Sequence, residues 1–185
     1  MEGSGGTIRA FIAIDVPKQI RQDIASLLSG LNGFRPVDEA NMHITLFFLG
    51  DITSEQVECV KAVMDRASFA PFDISINGVG AFTASMPRVL FVGISQGSDK
   101  IKGVFHGMQG GIAECCDIEE RDFVPHITIA RARDVHSSAR AAKEFIEKYS
   151  SRDFGQFLCN AIALKKSVLT SSGPEYTDLY VKAFS

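Results

Sequence analysis

Two tripeptides in this sequence have the make-up of an acid-base site: His43-Ile44-Thr45 and His126-Ile127-Thr128, each followed by another aliphatic residue, Leu46 and Ile129. On an extended strand, side chains at i and i+2 share one face, about 6.6 Å apart. Each motif would therefore turn an imidazole and a hydroxyl to one surface while its alternate residues anchor the strand in a core. A single such motif is more often packing than chemistry. The chain has only four histidines, and two copies arise by chance in roughly one comparable chain in a hundred, so the repetition is the signal. Two imidazoles near neutral pH can share the opening of a cyclic phosphate. The neutral one takes a proton from the attacking hydroxyl, and the protonated one gives a proton to the leaving oxygen. The threonine hydroxyls would donate to the non-bridging phosphate oxygens, where charge accumulates. The spacing lacks the His-x-x-x-His or Cys-x-x-Cys pattern that converges ligands on zinc, so neither a metal nor a cofactor is expected.

The elements that must position these motifs can be read from periodicity. Ile8 to Asp15 predicts a strand, and Asp15 with Pro17 opens a helix carrying Ile20, Ile24, Leu27, Leu28 and Leu31 at helical spacing, closed by Gly33. The first motif lies in a strand reaching Leu49. Thr53 and Gln56 then suggest a capping box for a helix with Val57, Val60, Val63 and Met64 buried, and Phe72, Ile74 and Ile76 alternate as a strand. From Pro87 the order begins again. A strand over Val89 to Ser95 contains Phe91-Val-Gly-Ile-Ser95, similar to Phe11-Ile-Ala-Ile-Asp15, and a helix carries Ile101, Val104, Phe105, Met108 and Ile112. The second motif strand is expected from Phe123 to Ala130, a helix from Val135 to Tyr149, and strands over Phe157 to Leu164 and Asp178 to Phe184. Two such halves about a pseudo-two-fold would face their histidines across one groove.

Composition sets the remaining bounds. At 185 residues and 45% hydrophobic content the chain can bury a sizeable core. Residues 1–6 have the composition of a flexible leader, and residues 7–185 are expected to form a single two-lobed domain. No apolar run approaches membrane-spanning length and no secretory signal pattern is evident, so no membrane association is expected. Cys59, Cys115, Cys116 and Cys159 show no paired spacing, and a reducing, cytoplasmic setting fits them best. The net charge of −3 argues against a protein that coats long nucleic acid. Residues 121–166 nevertheless carry nine Lys or Arg against five Asp or Glu, enough to hold a small anionic ligand. Arg140, Lys143 and Lys148 are read as a solvated helix face, and His106 and His136 as structural or surface residues.

The sequence resembles the RNA 2',3'-cyclic phosphodiesterases, also called 2'-5' RNA ligases, of the two-histidine phosphoesterase superfamily. The likeness runs from Arg9-Ala-Phe-Ile-Ala-Ile-Asp15 through His43-Ile-Thr-Leu-Phe-Phe-Leu-Gly50, Pro87-Arg-Val-Leu-Phe-Val-Gly93 and Pro125-His-Ile-Thr-Ile-Ala-Arg131 to Ser167-Val-Leu, Gly173-Pro and Tyr176. It implies an α+β fold of two pseudo-symmetric lobes, each an antiparallel sheet with two helices, flanking a central cleft. The implied reaction is hydrolysis of an RNA 2',3'-cyclic phosphate to a 2'-phosphate, with reversible, ATP-independent 2'-5' joining when a 5'-hydroxyl replaces water. The resemblance gives His43 the acid role and His126 the base role; the sequence alone does not orient them.

The candidate site is therefore His43, His126, Thr45 and Thr128, with Arg131 as an RNA contact. Arg131 lies five residues past His126 and reaches the same face only if the strand bends. Phe47 or Phe48 could stack on a base. The expected partner is RNA ending in a 2',3'-cyclic phosphate, bound by a monomer. Two alternatives stand beside this reading: a phosphodiesterase for small cyclic nucleotides or cyclic ADP-ribose phosphate, and a non-catalytic nucleotide- or RNA-binding module.

Overall fold

The computed structural model describes residues 6–83, 87–118 and 122–185. The side chains of residues 135–137 fall outside the description, as do residues 1–5 of the expected leader, so His136 is not placed. In chain order the elements are β1 (Ile8–Asp15), α1 (Lys18–Leu27), β2 (Phe34–Pro36), β3 (His43–Ile52), α2 (Ser54–Arg66), β4 (Phe72–Ala81), β5 (Val89–Gln96), α3 (Ser98–Cys115), β6 (His126–Ala132), α4 (Val135–Tyr149), β7 (Asp153–Cys159), β8 (Ala161–Thr170) and β9 (Gly173–Ala183). A short 3₁₀ turn, Glu39–Asn41, precedes β3.

The strands form one antiparallel sheet in the order β7-β4-β5-β6-β3-β1-β8-β9, with β2 beside β6. Its two halves mirror one another about the β3–β6 seam: β3 answers to β6, β1 to β5, β8 to β4 and β9 to β7. The seam is one residue pair wide, Ile44 opposite Ile127. The expected two-lobed α+β architecture with a cleft is present, and the lobes exchange strands. β4 leaves the first half of the chain to pair with β5, and β8 leaves the second half to pair with β1.

Two sequence expectations about strands are corrected, the first by this exchange. The apolar run Phe157 to Leu164 is two strands, because Cys159 pairs with Phe72 in one lobe and Ala161 with Ala183 in the other. Hydropathy does not register a change of partner. The second motif strand begins at His126 and not at Phe123, since Pro125 has no N–H to give to a ladder.

α2 and α3 follow their periodicity, whereas α1 ends at Leu27, short of the expected Leu31 and Gly33. Thr53 accepts from Gln56 N–H while the Gln56 side chain accepts from Thr53 N–H, the expected capping box, and α2 buries Val57, Val60, Val63 and Met64. The cysteine reading is corrected as well. Cys59 of α2 and Cys115 of α3 form a disulfide, with Cα atoms 5.7 Å apart. Their separation of 56 residues hides the pairing in sequence, and the packing of α2 on α3 creates it. Cys116 and Cys159 are free and buried. Among the described residues, no helix is long and apolar enough to cross a membrane.

Candidate active site

The Ile44–Ile127 pair positions the site. Both isoleucines are fully buried, and residues paired across a ladder point to one face. Their neighbours His43, Thr45, His126 and Thr128, all half-buried, therefore point together to the opposite face. Continuing the antiparallel register sets His43 opposite Thr128 and Thr45 opposite His126. The histidines become diagonal neighbours, which in a regular pair lie roughly 7–8 Å apart, a span that one phosphate can bridge through hydrogen bonds.

Each ring is held in the same way. His43 Nδ1 lies 2.8 Å from the Asn41 carbonyl oxygen and His126 Nδ1 lies 2.8 Å from that of Val124, two residues upstream in both cases. A carbonyl can only accept, so Nδ1 carries the proton and donates, and Nε2 is left for proton transfer. The Asn41 carbonyl is fixed in turn, because the Asn41 side chain donates to Pro174 O at 2.8 Å. Aromatic rings complete both seats. Phe11 stacks on His43 with centroids 4.8 Å apart and Tyr176 meets its edge at 5.4 Å. Around His126, Phe82 packs edge-on at 4.8 Å and Phe91 at 5.7 Å.

The bend that Arg131 requires is a β-bulge. Phe91 pairs with Thr128 and the adjacent Leu90 with Ala130, so Ile129 is an extra residue, and Arg131, opposite Val89, returns to the face of Thr128. The same device occurs in the other lobe, where Ala13 pairs with Thr45, Ile12 with Phe47 and Phe11 with Phe48. Leu46 is the extra residue there. Phe48 is thus the counterpart of Arg131, each three residues past its threonine. Phe47 is buried and stacks on Phe105 at 4.6 Å, whereas Phe48 is 54% exposed. His43, Thr45, Thr128, Arg131 and Phe48 all line one groove of about 1950 Å³.

Charge breaks the symmetry. Lys165 of β8, only 8% exposed, is ion-paired to Asp15 Oδ1 at 2.9 Å and to Asp178 Oδ1 at 2.5 Å. Asp15 sits opposite His43 in the β1–β3 ladder, and Lys165 opposite Phe11 in the β1–β8 ladder. Counted from the two threonines, Phe11 (opposite Phe48) answers to Val89 (opposite Arg131), and the β4 ladder continued past the Ala81–Leu90 pair reaches Phe82. Phe82 packs on His126 with centroids 4.8 Å apart, so an aromatic ring stands in this lobe where Lys165 stands in the other.

Burial pushes the His43 pKa down to about 4, helped by the charges of Lys165 and His126 and opposed by the Asn41 carbonyl and Asp15. The free ring is therefore neutral at pH 7. Burial works against the Lys165 charge, but hydrogen bonds to Asp178 and Asp15 and their charges outweigh it and raise its pKa. Burial also raises the Tyr176 pKa, against the pull of Arg131 and Arg9. Of the two histidines outside the motifs, His106 is exposed and hydrogen-bonds to Gln109.

The chain is similar to known proteins in both sequence and fold. Residues 14–91 match the family described as LigT like Phosphoesterase. The chain is 32% identical over 178 residues to the RNA 2',3'-cyclic phosphodiesterase of Archaeoglobus fulgidus, covering 94% of this chain and 99% of that protein. It is 32% identical over 173 residues to the enzyme of the same name from Methanocaldococcus jannaschii, covering 91% and 96%. Among solved structures, E. coli LigT complexed with 3'-AMP superposes with a TM-score of 0.81 at 24% identity, over 97% of this chain and 99% of that one. A protein from Thermus thermophilus superposes with a TM-score of 0.79 at 26% identity, over 96% and 98%.

Proposed function

Because the chain belongs to the LigT-like phosphoesterase family, we propose that it opens the 2',3'-cyclic phosphate of an RNA end to a 2'-phosphate, with His43 and His126 as its acid-base pair. The observation that carries this reading is the matched anchoring of the two rings, which donate Nδ1–H to a carbonyl two residues upstream and keep Nε2 for the substrate. One neutral Nε2 takes a proton from water as the water oxygen bonds to phosphorus. The bond from phosphorus to the 3'-oxygen breaks, and the other, protonated imidazole gives that oxygen its proton. The product is a 2'-phosphate beside a 3'-hydroxyl. Thr45 and Thr128 donate to the non-bridging oxygens, which gain charge in the transition state. A 5'-hydroxyl in place of water gives a 2'-5' linkage by the same proton transfers. Phe48 offers its exposed face to the terminal base, and Arg131 contacts the RNA.

The neutral state of free His43 suits a base, the reverse of the role that the family resemblance implies for it. The two assignments separate on a substrate whose leaving group needs no proton, because such a substrate rescues only the variant lacking the acid. His43→Ala and His126→Ala should each cost at least about 10² in rate on an RNA 2',3'-cyclic phosphate. The double variant should lose far less than the product of the two, because the rings act as a unit. Single-variant losses below tenfold would remove the pair from the mechanism.

A further inference from the structure

The seat of His43 is tied to the far end of the chain. The carbonyl that holds its Nδ1 belongs to Asn41, the last residue of the 3₁₀ turn Glu39–Asn41. The start of that turn is fixed locally: Asp38 accepts from the Ala40 backbone N–H, and Arg21 of α1 donates Nη1–H to the Glu39 carbonyl at 3.1 Å. Its last residue is held by its own side chain, which crosses to β9 and donates to Pro174 O at 2.8 Å. Two residues further along β9, Tyr176 meets the edge of His43 and packs on Phe11 with centroids 4.8 Å apart. The β8–β9 hairpin therefore reaches the His43 seat twice, once through a hydrogen bond from the residue that anchors the ring and once through an aromatic edge.

The tip of that hairpin lies in the groove. Leu169, Thr170, Ser172 and Pro174 line it, and Leu169 is 74% exposed. Thr170 closes the turn. Its hydroxyl donates to the Gly173 carbonyl at 2.8 Å and accepts from the Ser172 backbone N–H at 3.3 Å, one residue before the carbonyl that Asn41 holds. A ring that exchanges a proton through Nε2 needs its Nδ1 kept protonated and its plane fixed, and the hydrogen bond at Nδ1 does both. Resting on the reading of His43 as one of the acid-base pair, we infer that Asn41 is a positioning residue for His43, and that the β8–β9 hairpin, through Pro174, sets the aim of Nε2 at the phosphate. The Asn41 amide nitrogen is directed at Pro174, so this role needs no contact with the substrate. A misaimed acid or base slows proton transfer and leaves ground-state binding as it was, so the loss falls in kcat.

The test uses Asn41→Ala and Asn41→Leu, which keep the backbone carbonyl. The leucine also keeps the branched shape, but neither side chain has an N–H to give to Pro174. On an RNA 2',3'-cyclic phosphate, kcat should fall about tenfold in both, with KM unchanged within about twofold. At neutral pH, nitrogen NMR of the histidine rings should show native His43 as the Nδ1–H form and a share of the Nε2–H form in both variants. A role confined to stability would lower the melting temperature and leave both readouts where they were. Thr170→Val, which loosens the hairpin turn from the other end, should shift the His43 tautomer in the same direction. Combined with Asn41→Ala it should lose less than the product of the two losses, because both act through one bond. Native kcat in Asn41→Leu, with the ring still in the Nδ1–H form, would overturn the inference and leave the acid-base pair standing. Losses that multiply in full would overturn the part given to the hairpin. If the native protein hydrolyses no cyclic phosphate, the NMR measurement decides alone: a shifted tautomer in both Asn41 variants keeps the positioning role while the catalytic reading falls, and an unshifted one overturns both.

Discussion

Replacing Lys165 by Met should move the ionisation of His43, and the direction follows from the cluster's geometry. Lys165 acts on His43 as a like charge, and Asp15 opposes it. A unit charge within one or two side-chain diameters, in a medium of effective dielectric about 20, is worth on the order of 2 kcal/mol, or between one and two pH units. The side chains of Asp15 and Asp178 are 62% and 46% exposed, so water screens the cluster and about one unit is the realistic size. Loss of the lysine also releases Asp15 from its ion pair, and its negative charge acts with the same sign. Both effects favour imidazolium, so the His43 pKa rises from about 4 to about 5 or above. The assay is the pH profile of kcat/KM on a 2',3'-cyclic phosphate, which reports ionisations of the free enzyme. The limb governed by His43 moves up: the acid limb if His43 is the base, the alkaline limb if it is the acid. Asp178→Asn, which leaves the Lys165 charge less compensated, should move the same limb down. A Lys165→Met profile that stays within about 0.3 units of the native one, or shifts downward, would show that the cluster does not tune His43.

Three further outcomes follow from the same structure. The folded pKa of His43, about 4, lies below the unfolded value of 6.5, so the unfolded chain takes up the proton first. The stability linked to this ring is fully present above pH 6.5 and is lost as pH falls toward 4. Discounted for a half-buried ring, the loss is about 2 kcal/mol, and urea unfolding of His43→Gln between about pH 7 and 4.5 should show a correspondingly flatter dependence than the native protein. Opening the Cys59–Cys115 bridge, which closes 56 residues, should cost about 2–4 kcal/mol; a Cys59→Ser protein whose denaturation midpoint matches the oxidised one would contradict this. The exchange of β4 and β8 between lobes predicts one cooperative unfolding transition, and two transitions resolved by calorimetry would mean that the lobes are separable.

The motifs were legible because a period of two and a period of 3.6 are local signals. His43, Thr45, His126 and Thr128, the capping box at Thr53 and the buried stripe of α2 each needed only a few consecutive residues to read. What the sequence withheld depends on partners. A bulge is one extra residue with no compositional mark, so the face of Arg131 was undetermined until Thr128, Ile129 and Ala130 were seen against Phe91 and Leu90. The ion cluster joins Asp15 to Lys165 across 150 residues; Lys165 figured in the sequence only as part of a basic stretch. Phe82 had no signal at all. Phe91 had one, its match to Phe11 in the repeated strand, and that repeat would have pointed to equivalent aromatic seats for the two histidines.

Symmetry brings the two motifs together, but a symmetric site could not assign opposite duties to two imidazoles. The mirror order of the sheet meets at Ile44 and Ile127, and the seam pairs the residues that lie beside both motifs. Strand exchange then ties each motif to both halves of the chain: β8 supports β1 beneath His43, and β4 supports β5 beneath His126. The rings, their carbonyl anchors and their aromatic neighbours repeat. Two pairs of equivalent positions do not. Lys165 stands where Phe82 stands across the dyad, which sets a fixed cation beside one imidazole and an aromatic ring beside the other. Phe48 stands where Arg131 stands, which sets an apolar face at one end of the groove and a cation at the other. The first difference places beside His43 a like charge that lowers its pKa. The second gives the groove two unlike ends, so under the proposed function a cyclic phosphate would meet the two histidines in one orientation.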